Sequence, residues 1–182
     1  FGPQYRSQAY TLARTYENYA TYYDIHYPNE ERQAGRPLRL SPAYEELAAL
    51  GAVFGEKSGW ERPNWFAANE DGAGVASRAQ LEAERPRGWA GEHWSTAIGA
   101  EALACRQRAA LFDESSFAKI EVAGPGACGF LQGLCANDID RPVGSIVYTQ
   151  LLNRRGGIES DFTVTRWGDD RFLIVTGTAF GN

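Results

Sequence analysis

The stretch from Gly144 to Arg166, GSIVYTQLLNRRGGIESDFTVTR, constrains the fold of this chain more than any other. Val147 to Leu152 reads as a strand, Asn153-Arg154-Arg155-Gly156-Gly157 as a turn, and Ile158 to Arg166 as a second strand. β-rich runs joined by a Gly-containing loop of about five residues predict a hairpin. Side chains alternate between the faces of a strand. Ile158, Phe162 and Val164 therefore share one face, and Glu159, Asp161, Thr163 and Thr165 share the other. The second face carries carboxylates at i and i+2. On pattern alone this is the wetted face of an antiparallel strand.

The flanking segments extend the antiparallel series. Ala118 to Val122 reads as a strand, Ala127 to Leu134 as a helix, and Arg171 to Thr176 as a strand apolar on both faces, hence central. Trp167-Gly168-Asp169-Asp170 is the turn before it. Between Val122 and Gly129 lies a GxGxxG pattern, the dinucleotide fingerprint on its face. Three features argue against that reading. Lys119-Ile120-Glu121-Val122 alternates, whereas a buried parallel strand is continuously apolar. No acidic residue follows at the expected distance of about 20 positions. Pro125 lacks the N–H that a phosphate would use. A tight turn into a helix remains.

The first half is less regular. Thr11 to Tyr22 reads as helical within a Tyr-rich stretch suited to an interface. Ser41-Pro42 predicts a helix start and Gly51 its end. Gly55 to Trp94 reads as largely irregular, with Trp60, Trp65, Trp89 and Trp94 suggesting a segment laid across another domain. A helix is predicted over Thr96 to Ala110.

Composition narrows the function classes. A net charge of -5 argues against nucleic-acid binding, which needs a basic patch. No apolar run approaches the ~18 residues of a membrane span, and nothing resembles a signal peptide. Cys105, Cys128 and Cys135 have no metal-ligand spacing, and neither do His26 and His93, so no metal site is expected. An odd number of free thiols fits a reducing compartment such as the cytoplasm. The chain starts at Phe1 and contains no Met, so it reads as a piece of a longer protein.

Specific runs add a resemblance. LFDESSFAKIEVAGPGACGFLQGLCANDI, YTQLLNRRGGIESDFTV and RFLIVT, within Gly99 to Thr176, resemble the opening of the folate-binding aminomethyltransferase fold of the glycine-cleavage T-protein. The resemblance implies that Asp161, the acid after the Gly-Gly hairpin, is catalytic and binds tetrahydrofolate. Family members often carry consecutive acids there; this chain has Ser160-Asp161. Tyr148 could line the same folate channel, or pack as a core strand residue. The Asn137-Asp138 turn would lie near that channel. Upstream, Tyr22 to Phe66, including GAVFGEKSGWERPNWF, resembles the central region of dimethylglycine and sarcosine dehydrogenases. In those enzymes an FAD domain precedes this region and a folate domain follows it.

The fold class expected is α+β: residues 1–95 as the tail of an oxidoreductase central region, then 96–182 as the first, incomplete part of the aminomethyltransferase fold with antiparallel strands. The resemblance implies that the parent protein is an FAD- and tetrahydrofolate-dependent oxidoreductase. It would demethylate an N-methylated amine such as dimethylglycine or sarcosine and form 5,10-methylene-tetrahydrofolate. The FAD would sit in a domain outside this chain, which is its expected partner; an oligomer is compatible with the sequence. By itself the chain is expected to be inactive. The alternatives are a flavin-free folate-dependent aminomethyl- or methyltransferase, which would lack the upstream segment, and a non-catalytic interaction module derived from the fold.

Overall fold

The computed structural model describes residues 6–181, which fall into two units, Phe1–Ser115 and Ser116–Asn182.

In the first unit, helix α1 spans Gln8–Ala20, with the Ser7 side chain accepting from the Tyr10 amide, and it buries no residue. Helix α2 spans Tyr44–Ala49. It starts later than Ser41-Pro42 suggests because Ser41 first closes a turn: its hydroxyl accepts from the Ala43 amide and its carbonyl from the Tyr44 amide. Gly51, at φ +83°, follows the helix end. The expectation of an irregular Gly55–Trp94 segment does not hold. Strands β1 (Ala52–Lys57) and β2 (Trp60–Phe66) form an antiparallel hairpin, and helix α3 spans Arg78–Ala83 behind a Ser77/Gln80 capping box. The hairpin turn is Ser58-Gly59, both at positive φ (50° and 86°), as a two-residue primed turn requires. Apolar alternation does not announce this hairpin, because one buried position on β2 is the carboxylate Glu61. Pro63 is tolerated opposite Phe54, where the register shifts. Helix α4 (Thr96–Gln107) begins at the Ser95 cap and buries Ala97 and Ala100. Glu101 on it accepts from the Phe66 amide at 2.7 Å and from Asn69 at 2.9 Å, tying α4 to the end of the hairpin.

The described residues of the second unit form one sheet, one α-helix and a short 3-10 turn at Thr178–Gly181. Strand β3 (Ala118–Ala123), helix α5 (Ala127–Leu134) and strands β4 (Ile146–Leu152), β5 (Ile158–Gly168) and β6 (Arg171–Thr176) follow in order. The sheet order is β3-β6-β5-β4, antiparallel throughout, with β6 interior as its doubly apolar sequence predicts. Gly124 and Gly126 take φ +122° and +91° to turn the chain into α5. With only antiparallel neighbours in the sheet, the GxGxxG turn has no parallel Rossmann strand to serve. Leu131 and Ala127 of α5 pack with Ile139, Val164, Phe172 and Ile174 into the core on one sheet face. Phe162, Val147 and Val122 complete that face. The α+β expectation is met by this mixture of helices and antiparallel sheet.

Candidate functional site on the open sheet face

The β4–β5 register places the predicted site residues. Tyr148 lies opposite Thr163, and Gln150 opposite Asp161. Paired residues share a face, so Tyr148, Gln150, Asp161 and Thr163 all lie on the face away from α5. Val175 opposite Thr163, and Leu173 opposite Thr165, continue it across β6. Tyr148 and Asp161 are therefore diagonal neighbours, within reach of a long aromatic side chain. The Tyr148 hydroxyl donates to Asp161 Oδ2 at 2.8 Å. Tyr148 is 56% exposed, so it lines the open face and is not a core residue.

The hairpin turn explains why Asp161 rather than Glu159 is free for this contact. Asn153 Oδ1 accepts from the Arg155 and Gly157 amides, each at 2.9 Å, closing an Asx-type turn. Its Nδ2 donates to Glu159 at 2.7 Å. Glu159 thus belongs to the turn, and Asp161 to the strand face. The turn is compact: a Cβ at Gly157 would come within 2.8 Å of the Asn153 amide nitrogen.

Tyr148 is also held through its backbone. The segment after α5 runs beside β4: the Ala136 amide donates to the Gln150 carbonyl at 2.9 Å. The Asn137 amide donates to the fully buried Thr149 hydroxyl at 3.0 Å, and Asn137 Nδ2 reaches the Tyr148 carbonyl at 3.3 Å. Ala136 and Asn137 thereby hold β4 at Tyr148 and at the two residues that follow it. Sequence reasoning placed Asn137 in the region and Thr163 on the face of Asp161, but missed Thr149 and Gln150. Register would have exposed them, and register is set by tertiary pairing.

A carboxylate offers about four lone-pair positions. The Tyr148 bond uses one of them, which leaves Asp161 able to accept from a ligand N–H. The phenol orients the carboxylate, while the tyrosine ring, Leu173 and Val175 supply flat and apolar surface. The arrangement suits a planar, N–H-rich heterocycle.

Other candidates lack such chemistry. Burial pushes the Cys128 thiol up, and its bond to Asp140 pushes it further. Burial likewise raises Cys135. Both are therefore poor nucleophiles. Asp140 is held below the usual carboxylate value by the Arg166 guanidinium at 2.6 Å and by the Cys128 thiol. The His26 ring sits 3.9 Å from Glu30, and His93 lends its carbonyl to Asn29. Among the described residues no group of three His, Cys, Asp or Glu side chains could hold a metal ion. Nor is any helix of the described residues long and apolar enough to cross a membrane.

Residues 43–182 match the GCVT N-terminal domain. The chain belongs to this family. Residues 1–41 match the FAD dependent oxidoreductase central domain. The chain is 41% identical over 176 residues to 4-methylaminobutanoate oxidase (formaldehyde-forming) of Paenarthrobacter nicotinovorans, an alignment covering 97% of this chain and 20% of that protein. It is 42% identical over 168 residues to human mitochondrial sarcosine dehydrogenase, covering 84% and 18%. A third relative, the mouse mitochondrial pyruvate dehydrogenase phosphatase regulatory subunit, is 35% identical over 180 residues, covering 98% and 20%. The chain thus spans about a fifth of the length of these curated relatives. Among solved structures, glycine cleavage system aminomethyltransferase T from Bartonella henselae superposes with a TM-score of 0.52 at 27% identity, over 80% of this chain and 32% of that one.

The family match begins inside the Tyr22–Phe66 stretch that resembles the dehydrogenases, so GEKSGWERPNWF falls within the GCVT segment. The family segments meet at 41–43, and the compact units divide at 115–116. Helix α4 packs on α3 and β2, within the first unit.

Proposed function

We propose that this chain is part of an FAD- and tetrahydrofolate-dependent oxidative demethylase of N-methylated amines, of the dimethylglycine or sarcosine type. In this reading the open face of β4 and β5 is one wall of the folate site. Asp161 is the catalytic residue, and Tyr148 and Asp161 are its folate contacts. The Tyr148–Asp161 hydrogen bond carries the proposal, because it presents an oriented carboxylate beside an exposed aromatic ring. That fits a pterin, whose ring stacks and whose N–H groups donate. When bound, the reduced folate supplies the nitrogens that take up a one-carbon unit, so that 5,10-methylene-tetrahydrofolate is the product. Asp161 positions the folate amine and takes its proton; Tyr148 holds the carboxylate in place. FAD belongs to a domain outside these residues, the partner of the segment that matches an oxidoreductase central domain. A reducing compartment such as the cytoplasm is part of the reading, since all three cysteines are free thiols.

The test is Asp161→Asn in the whole flavoenzyme. Flavin reduction by the methylated amine should persist, while folate-dependent capture falls and formaldehyde accumulates instead. Equal loss of both activities would sink the assignment.

A second reading is a non-catalytic interaction module. The 35% identity to a phosphatase regulatory subunit, over nearly all of this chain, favours it. Absence of reduced-folate binding in the whole protein would select this reading. The flavin-free transferase is disfavoured by the oxidoreductase match at residues 1–41.

A further inference from the structure

The first unit contains a junction between segments that match different families, and charged side chains line it. Residues 1–41 match one family and residues from 43 the other. Arg14 Nη2 meets Glu56 at 2.6 Å, with side chains 12% and 18% exposed. Arg36 grips Glu61 through Nε at 2.9 Å and Nη2 at 2.5 Å, with side chains 10% and 4% exposed, and donates also to the Phe54 carbonyl. Glu31 accepts from the Glu56 amide at 3.1 Å and from Asn64 at 2.9 Å. Any Cβ at Gly55 would collide with the Glu31 carboxylate, so glycine is needed to seat it. Arg39 exchanges backbone bonds with Gly59 and Glu61, both 2.9 Å, and lays its guanidinium over the Trp60 ring. Every one of these contacts joins the 1–41 segment to β1 or β2 or to the turn between them. Meanwhile α1 buries no residue of its own.

We infer that residues 14–39 form a charge-held strap on the β1–β2 hairpin, and that this grip fastens the oxidoreductase-type segment to the GCVT-type segment. The hairpin is the docking surface, and its partner is the chain's own preceding segment. Arginine suits the role because its planar fork makes bidentate, oriented bonds. Such pairs fix an angle as well as a distance, so a domain attached to the strap inherits the orientation of the hairpin. The inference is independent of any folate or flavin chemistry.

Amide hydrogen exchange on the 182-residue chain tests it. Arg14→Met and Glu56→Gln should each speed exchange of the α1 amides at least about tenfold, while the β4–β6 amides stay within about twofold of the parent. Glu56→Gln keeps an acceptor for the Gly59 amide, so it removes charge without dismantling the turn. Gly55→Ala, which displaces Glu31 without touching α1, should loosen the strap in the same direction. Arg171→Met breaks an exposed ion pair in the other unit and should leave α1 unchanged. Unaltered α1 exchange in Arg14→Met and Glu56→Gln would overturn the inference. A rise shared equally by the α4 amides would do the same, since α1 would then be part of one core and not a strap on it.

Discussion

The Tyr148 hydroxyl donates to Asp161 Oδ2 across adjacent strands at 2.8 Å, although the backbone partners of these residues are Thr163 and Gln150. The bond is diagonal and on an exposed face, so it orients a carboxylate without supporting the core. Tyr148→Phe should therefore leave unfolding free energy within about 0.5 kcal/mol of the parent, as for most surface changes. On the proposed folate reading, in the whole protein it should weaken folate capture less than Asp161→Asn does. A denaturant titration paired with a one-carbon capture assay measures both. A large stability loss would mean the tyrosine has a structural role.

Thr149 has the opposite character. It is fully buried, and its hydroxyl accepts from the Asn137 amide. Thr149→Val keeps the shape and deletes the acceptor, leaving a partly buried N–H unpaired at a cost of about 1–3 kcal/mol. Urea unfolding should register the loss, and exchange at the Asn137 amide should accelerate.

Phe172 is fully buried in the core between the sheet and α5. Phe172→Ala should cost about 3–5 kcal/mol through lost transfer energy and a residual cavity. Because that core lies wholly in the second unit, protection of α4 amides should be unaffected at temperatures where the variant is still folded.

The Arg36–Glu61 pair allows a sharper contrast. Arg36→Met strands a buried carboxylate, a loss of about 3–5 kcal/mol. The double variant Arg36→Met with Glu61→Leu removes both charges and should recover much of it. Urea unfolding followed by tryptophan fluorescence reports the comparison; a double variant no better than the single one would mean that packing, not charge, is the determinant.

Glu17 gives a pH dependence. Burial pushes its carboxyl up, but the Gln33 and Ala34 amides, with Arg14 and Arg32, pull it down by more, so it lies below the ordinary 4.5. A depressed folded value means its contribution is complete above about 4.5 and is lost as pH falls through the lower folded value. Exchange at the α1 amides, corrected for its intrinsic pH dependence, should therefore accelerate on acidification below that point. In Glu17→Gln the acceleration should largely vanish.

The hairpin around Asn153–Gly157 is legible in the sequence because its causes are local. Alternation sets the faces, and Asn and Gly set the turn. The helix over Ala127–Leu134 and the interior position of Arg171–Thr176 follow from period and apolarity in the same way. The β1–β2 hairpin is not legible like this. The buried position on β2 holds Glu61, which becomes acceptable only when Arg36, remote in sequence, supplies the counter-charge. A local reading prices that carboxylate as exposed and so reads a loop.

The sequence by itself determined the α+β class and the β4–β5 hairpin, since alternation, period and turn residues are local features; Asp161 is singled out by the family resemblance, not by local pattern. Only the tertiary structure decided that Tyr148 is the partner of Asp161, that Glu159 serves the turn, and that Arg14 and Arg36 grip the β1–β2 hairpin. Those relationships depend on register and on charges brought together across long loops, and such distances in space are fixed by the folded chain, not by spacing along it.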